Sequence, residues 1–125
     1  MADLHSNKSV VMIAGEVSGD IHGSRLIASL KSIDPLLQVH GIGGDLMIKE
    51  GLEPVYHIEQ MAFLGVGEII KHLPFIRRVF KKMIDLVQVE RPAAVILIDY
   101  PGFNLRFAKK VKNLGIPVIY YISPQ

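Results

Sequence analysis

Two segments place carboxylates where a short apolar run gives way to a helical pattern. In Ile98-Asp99-Tyr100-Pro101-Gly102-Phe103-Asn104, an acid follows an apolar run and a turn then leads into a helix. A carboxylate at the carboxyl end of a buried parallel strand lies in the crevice where such sheets bind ligands, and partial burial suits it for general-base work. Asp99 is therefore the leading catalytic candidate, and Asn104 is read as the N-cap of the following helix. The second segment, Ala14-Gly15-Glu16-Val17-Ser18-Gly19-Asp20, carries two acids. Pyrophosphate-binding turns at this place use G-x-G-x-x-G, which is absent, and an anion at a helix N-terminus competes for the amides a phosphate would use. Ser18 or Asp20 is read as the N-cap. Glu16 lies ahead of that cap at a strand end, open either to a ligand or to solvent.

Two further features are less specific. Gly41-Ile42-Gly43-Gly44 reads as a tight turn after a strand, with Gly44 left as a place where substrate approaches the backbone. On the helical pattern beginning at Pro74, Leu73, Ile76, Phe80, Met83, Ile84 and Val87 form a core-facing stripe. Lys71, Arg78 and Lys82 lie opposite, flanked by Arg77 and Lys81. A basic face is commonly just solvated. Phe75, Val79 and Leu86 lie off the stripe, however, and apolar groups beside lysine and arginine suit contact with anionic lipid or a phosphorylated, acylated substrate. The lipid-facing set is then Lys71, Phe75, Arg78, Val79 and Lys82. His5, His22, His40, His57 and His72 lack metal-ligand spacing, so no metal is expected. Ser18 and Ser24 have no G-x-S-x-G elbow, which leaves a serine hydrolase unsupported.

The elements that must position these residues alternate. Strands are expected at 10–14, 38–42, 53–57, 94–98 and 117–122, the first and fourth being central because they are nearly all apolar. Helices are expected at 20–33, 44–51, a longer region 65–89 broken at Pro74, and 104–114 capped by Gly115. The pattern predicts an α/β, Rossmann-like parallel sheet with helices on both faces. A flexible tail covers 1–8 and one domain 9–125. The chain stops after a strand without a closing helix, as a truncated domain would.

Composition narrows the classes. The chain has 125 residues, half of them hydrophobic, enough for one core. Its net charge of +2 is too small to argue for nucleic acid. With no cysteine it has no disulfide, thiolate metal site or cysteine nucleophile, which fits a reducing cytoplasm. No signal peptide is visible at the N-terminus, and the longest apolar runs are too short to span a bilayer.

Taken in order, these blocks resemble the lipid-A-disaccharide synthase family of glycosyltransferases over nearly the whole chain after Val10. The resemblance rests on Ala-Gly-Glu-x-Ser-Gly-Asp at 14–20, Gly-Ile-Gly-Gly with Met47 and Gly51, Gly65 with Glu68, Ile-Asp-Tyr-Pro-Gly-Phe-Asn at 98–104, and Tyr-Tyr-Ile-Ser-Pro-Gln at 120–125. Asp45, Leu64 and Ala93 depart from the family's usual proline, methionine and aspartate.

The resemblance implies most of the first of two Rossmann-like domains in a GT-B enzyme. Such an enzyme moves 2,3-diacylglucosamine from its UDP derivative to 2,3-diacylglucosamine 1-phosphate (lipid X), with inversion and without metal or other cofactor. Carried over, Asp99 is the base, with Glu16 as alternative or orienting partner, and Ser18, Gly19, Gly44 and Asn104 shape the acceptor side. The basic, apolar helix face would rest on the cytoplasmic side of the inner membrane. UDP would bind in a carboxyl-terminal domain, so this chain alone is expected to be inactive, and the parent enzyme is expected to be a homodimer. The rivals are an NAD- or nucleotide-dependent oxidoreductase domain, disfavoured by the missing glycine pattern, and a non-catalytic lipid- or partner-binding module.

Overall fold

The computed structural model describes residues 8–61 and 72–121. Lys71, Leu64, the Gly65/Glu68 pair, the opening of the expected long helical region and the block at 122–125 lie outside the described residues.

Five strands, β1 (Ser9–Ala14), β2 (Gln38–Gly43), β3 (Leu52–His57), β4 (Ala94–Ile98) and β5 (Val118–Tyr121), form one parallel sheet in the order β3-β2-β1-β4-β5. The helices are α1 (Val17–Ile33), α2 (Asp45–Lys49), α3 (Ile58–Met61), α4 (Leu73–Glu90) and α5 (Pro101–Asn113). The one-turn α3 carries no sequence signal of its own. The sheet separates two apolar cores. Val10, Met12, Ala14, Ile96 and Ile98 pack with Ile27 of α1 and Met47 of α2. Val11, Ile13, Val95 and Leu97 pack with Met61 of α3, Met83 and Val87 of α4, and Phe107 and Val111 of α5. Successive residues of β1 and β4 thus serve opposite faces, and for this reason these two strands are continuous apolar runs. The molecule is a doubly wound, Rossmann-like α/β fold with helices on both faces.

The strand order reverses between β1 and β4. Their register, Ala14 opposite Ile98, brings their carboxyl ends level and opens a crevice between the turns that follow. Both acid-bearing segments start there.

Local geometry corrects two expected caps. The helix α1 begins earlier than the apolar spacing implied, with Glu16 at the N-cap position and no side-chain cap bond. Neither Ser18 nor Asp20 is the cap. Asp20 is buried within the first turn of α1, and its Oδ1 accepts from the Gly44 and Met47 amides at 2.8 and 3.0 Å, its Oδ2 from the Leu46 amide at 3.1 Å. It caps α2 across space, a helix that Gly44 opens without a side chain of its own. Likewise α5 starts at Pro101 with Tyr100 at the N-cap position, and Asn104 lies inside its first turn. Its expected role as cap is overturned, because the left-handed backbone at Tyr100 turns the chain into the helix three residues sooner. At the other end Gly115, with φ 79°, closes α5 as expected. Its amide bonds the Lys112 carbonyl and that of Ile116 the Val111 carbonyl, a left-handed helix stop.

Candidate active site

The segment after β4 is built from two consecutive non-glycine residues in the left-handed region, Asp99 at φ 46° and Tyr100 at φ 53°. Such residues are unusual and cost about 1–3 kcal/mol each unless the surroundings hold them. The holding groups are identifiable. The Asp99 amide donates to the Tyr121 carbonyl at 2.9 Å. Its carbonyl accepts from the Tyr120 hydroxyl at 2.8 Å and from Asn104 Nδ2 at 3.0 Å. Asn104 is fully buried and its Nδ2 also lies 3.4 Å from the Ile13 and Ile98 carbonyls, so it ties the ends of β1 and β4 to the turn. The side chain reads as a brace that fixes the acid-bearing turn.

Tyr100 faces the opposite turn. Its ring lies against Gly15, where any Cβ would sit 2.5 Å from ring carbons, and its hydroxyl donates to the Met61 carbonyl at 3.1 Å. Burial, reinforced by the charge of Glu16, pushes its phenol well above the usual tyrosine value. Burial and then the charge of Asp99 push the Tyr120 phenol up as well. Each acid therefore has a neutral tyrosine beside it. Both phenols are hydrogen-bond donors fixed in place before any ligand arrives.

Glu16 is exposed and opens into a cavity of about 780 Å³ between the two turns, α4 and α5. Ile76, Phe80, Tyr100 and Phe103 supply apolar wall, and Arg77, Lys81 and Arg106 supply positive charge. The volume lies within the range of small-molecule sites, and apolar walls with a few convergent polar groups are what such sites share. Asp99 is half-buried at the end of the neighbouring strand and does not line this cavity.

The remaining sequence candidates occupy distinct places. Ser18 is exposed in the first turn of α1. Gly19 is buried, with a Cβ position 3.0 Å from that of Ala14, so its lack of a side chain lets α1 close on β1. At Gly44 a Cβ would meet the Asp20 carboxylate at 2.5 Å, which makes this glycine a packing requirement of the Asp20 cap. Val79 is fully buried in the core that α4 shares with α5 and the sheet, which corrects its assignment to a lipid-facing surface: the covered face of α4 is wider than the stripe through Ile76 and Phe80. Phe75 packs edge-on to Tyr56 at 5.8 Å, Arg78 lies 5.7 Å over Phe75, and Lys82 lies 5.6 Å over Tyr56. These two cations thus sit over the molecule's own aromatics, and the pair that reaches the cavity is the flanking one, Arg77 and Lys81. Sequence reading missed Arg106, Tyr100 and Tyr120. The alternation of β5 carried a signal for Tyr120, since Val118 and Tyr120 share its core-facing side. No helix among the described residues is long and apolar enough to cross a membrane.

Comparison of the sequence with known proteins points to one family. The pattern of the lipid-A-disaccharide synthetase family matches residues 10–125. A lipid-A-disaccharide synthase of Coxiella burnetii is 44% identical over 120 residues, 96% of this chain and 32% of the relative. Those of Trichlorobacter lovleyi and Syntrophotalea carbinolica are 43% identical over 118 residues and 39% over 126, covering 94% and 100% of this chain. The chain spans about a third of the length of these relatives.

Proposed function

Because the chain belongs to the lipid-A-disaccharide synthetase family, we propose that it forms the acceptor side of a glycosyltransferase that joins two acylated glucosamines, with its first eight residues a tail and 9–125 the acceptor domain. The supporting observation is the meeting of two acid-bearing turns at the point where strand order reverses, one acid opening into an apolar cavity edged with cations. Asp99 is the general base for the acceptor hydroxyl, held in a turn braced by Asn104 and Tyr120. The hydroxyl oxygen attacks the donor's anomeric carbon from the face opposite the leaving group. The bond to the diphosphate breaks, the configuration inverts, UDP leaves and the proton ends on the carboxylate. Glu16 orients the acceptor or shares the base's work.

The donor, UDP-2,3-diacylglucosamine, is held elsewhere. The turn that would cradle a diphosphate has Glu16 at the helix N-cap, and its charge opposes an anion at those amides. A second domain of the parent supplies that site, the parent acts as a homodimer at the cytoplasmic face of the inner membrane, and this chain alone binds acceptor without turning it over.

Calorimetric titration of the chain with lipid X, UDP and NAD tests this. Lipid X is expected to bind and the other two not, with Asp99→Ala or Glu16→Ala weakening lipid X. Saturable binding of UDP or NAD with no response to lipid X would refute the assignment.

A further inference from the structure

The cations of the cavity have no role in the chemistry above, and their arrangement is specific. On α4, Leu73, Arg77 and Lys81 follow one another at four-residue intervals and so form one row, with Ile76 and Phe80 in the adjacent row. On α5, Gly102, Phe103 and Arg106 face them. The burial gradient orders the groove: Phe103 is buried, Ile76 and Phe80 are half-buried, and Arg77, Lys81 and Arg106 are exposed at the rim. Arg77 and Arg106 make no ion pair among the described residues, and Lys81 has only an exposed 3.4 Å contact with Asp85 on its own helix. Three cations thus converge over an apolar floor with one acid, Glu16, at the crevice end.

Resting on the acceptor-side reading, we propose that the groove between α4 and α5 is a built site for a phosphorylated amphiphile. Its acyl chain lies on Ile76, Phe80 and Phe103, and its phosphate is held by Arg77, Lys81 and Arg106. A phosphomonoester offers about two negative charges and three acceptor oxygens, which two guanidinium forks and an ammonium complement. Glu16 repels that phosphate, so the ligand's phosphate end lies toward the arginines and its uncharged, hydroxyl-bearing end toward Glu16. Arg77 and Arg106 lie four and five residues past Leu73 and Pro101, the helix starts that line the cavity with Glu16, a rise of roughly 6–8 Å and the scale of a single sugar with its substituent. The groove therefore selects both what the acceptor is and which way round it binds.

Gly102 supplies a clean test. A Cβ at Gly102 would meet nothing within 4 Å, so a side chain fits the backbone at this residue of the groove's lining. The 125-residue chain, its fold checked by circular dichroism, is titrated with acylated glucosamine 1-phosphate, the same lipid without its phosphate, unacylated glucosamine 1-phosphate and inorganic phosphate. The first is expected to bind most tightly. Arg77→Gln or Arg106→Gln weakens it about tenfold or more while leaving the dephosphorylated lipid unchanged, as expected for loss of a charge-assisted bond. Gly102→Leu weakens both lipids and leaves inorganic phosphate unaffected.

Equal binding of the two lipids by the wild-type chain would overturn the phosphate assignment, and equal binding of acylated and unacylated phosphates would overturn the acyl one. If acylated phosphate binds and no variant changes it, the groove is wrong while the acceptor-side reading stands. If no acylated ligand binds the wild-type chain, both fall. The two arginine variants decide the matter even if Gly102→Leu does not fold.

Discussion

Asp99 was legible as an acid ending an apolar run, since burial on both faces is written in the strand itself. Its surroundings were not legible, because they depend on two left-handed residues that no local signal marks. Once φ is positive at Asp99 and Tyr100, α5 starts early and Asn104 is carried inside to hold the turn instead of capping a helix. If Asp99 is the base, Asp99→Asn in the complete enzyme lowers kcat by about a hundred- to ten-thousandfold and leaves acceptor affinity within a few-fold, as steady-state kinetics would read. Unchanged kcat would move the base to Glu16. Asp20 makes a different claim. Three amides of α2 depend on one buried carboxylate, so Asp20→Ala is expected to cost about 3 kcal/mol in urea unfolding with acceptor contacts untouched, since a buried donor left unpaired costs about 1–3 kcal/mol. A loss below 1 kcal/mol would mean that water replaces the carboxylate readily.

At the scale of elements, the five strands and the longer helices followed from apolar runs and spacing, because the period of a pattern is a local property. The position of Val79 did not. Spacing along α4 gives a direction for each residue but not the width of the face that its neighbours cover, and here the sheet and α5 cover more than one row. Arg78 and Lys82 are exposed as expected, and what spacing could not give is the aromatics they lie over, Phe75 from α4 itself and Tyr56 from distant β3. Gly41 and Gly43 lie inside β2 and not in the turn after it that their spacing suggested, and Gly41 is the more constrained. With φ 152° and a Cβ position that would strike the Met12 carbonyl, it sits where β2 shifts register against β3. Gly41→Ala is expected to destabilise by about 3 kcal/mol or more, because backbone cannot move aside as a side chain can, and a thermal melt would show it. Wild-type stability in that variant would mean that β2 shifts to accommodate a methyl group.

For the whole molecule, the reversal of strand order gathers residues more than eighty positions apart, Glu16 and Asp99, at the carboxyl end of the sheet. It also sets beside each acid a tyrosine that resists ionisation. Both phenols, Tyr100 and Tyr120, have folded values above the ordinary 10.0, so their neutral forms favour the folded chain. That contribution is complete below the unfolded value and is lost as pH rises through the folded ones. Urea midpoints are therefore expected to hold steady to about pH 9 and fall above pH 10, less steeply in Tyr100→Phe. Of the four tyrosines, these two should be late to give the phenolate absorbance in an alkaline titration; early ionisation of all four would show that the buried phenol is open to solvent. The left-handed turn has a further consequence, in the history of the sequence. Glycine accepts the backbone of residue 99 without the conformational cost an aspartate bears, so an acid there is kept against that cost. If Asp99 is the base, a lineage relieved of the reaction is free to exchange it while its apolar core is still intact, and the residue's survival in a drifting copy would date how recently that copy was still at work.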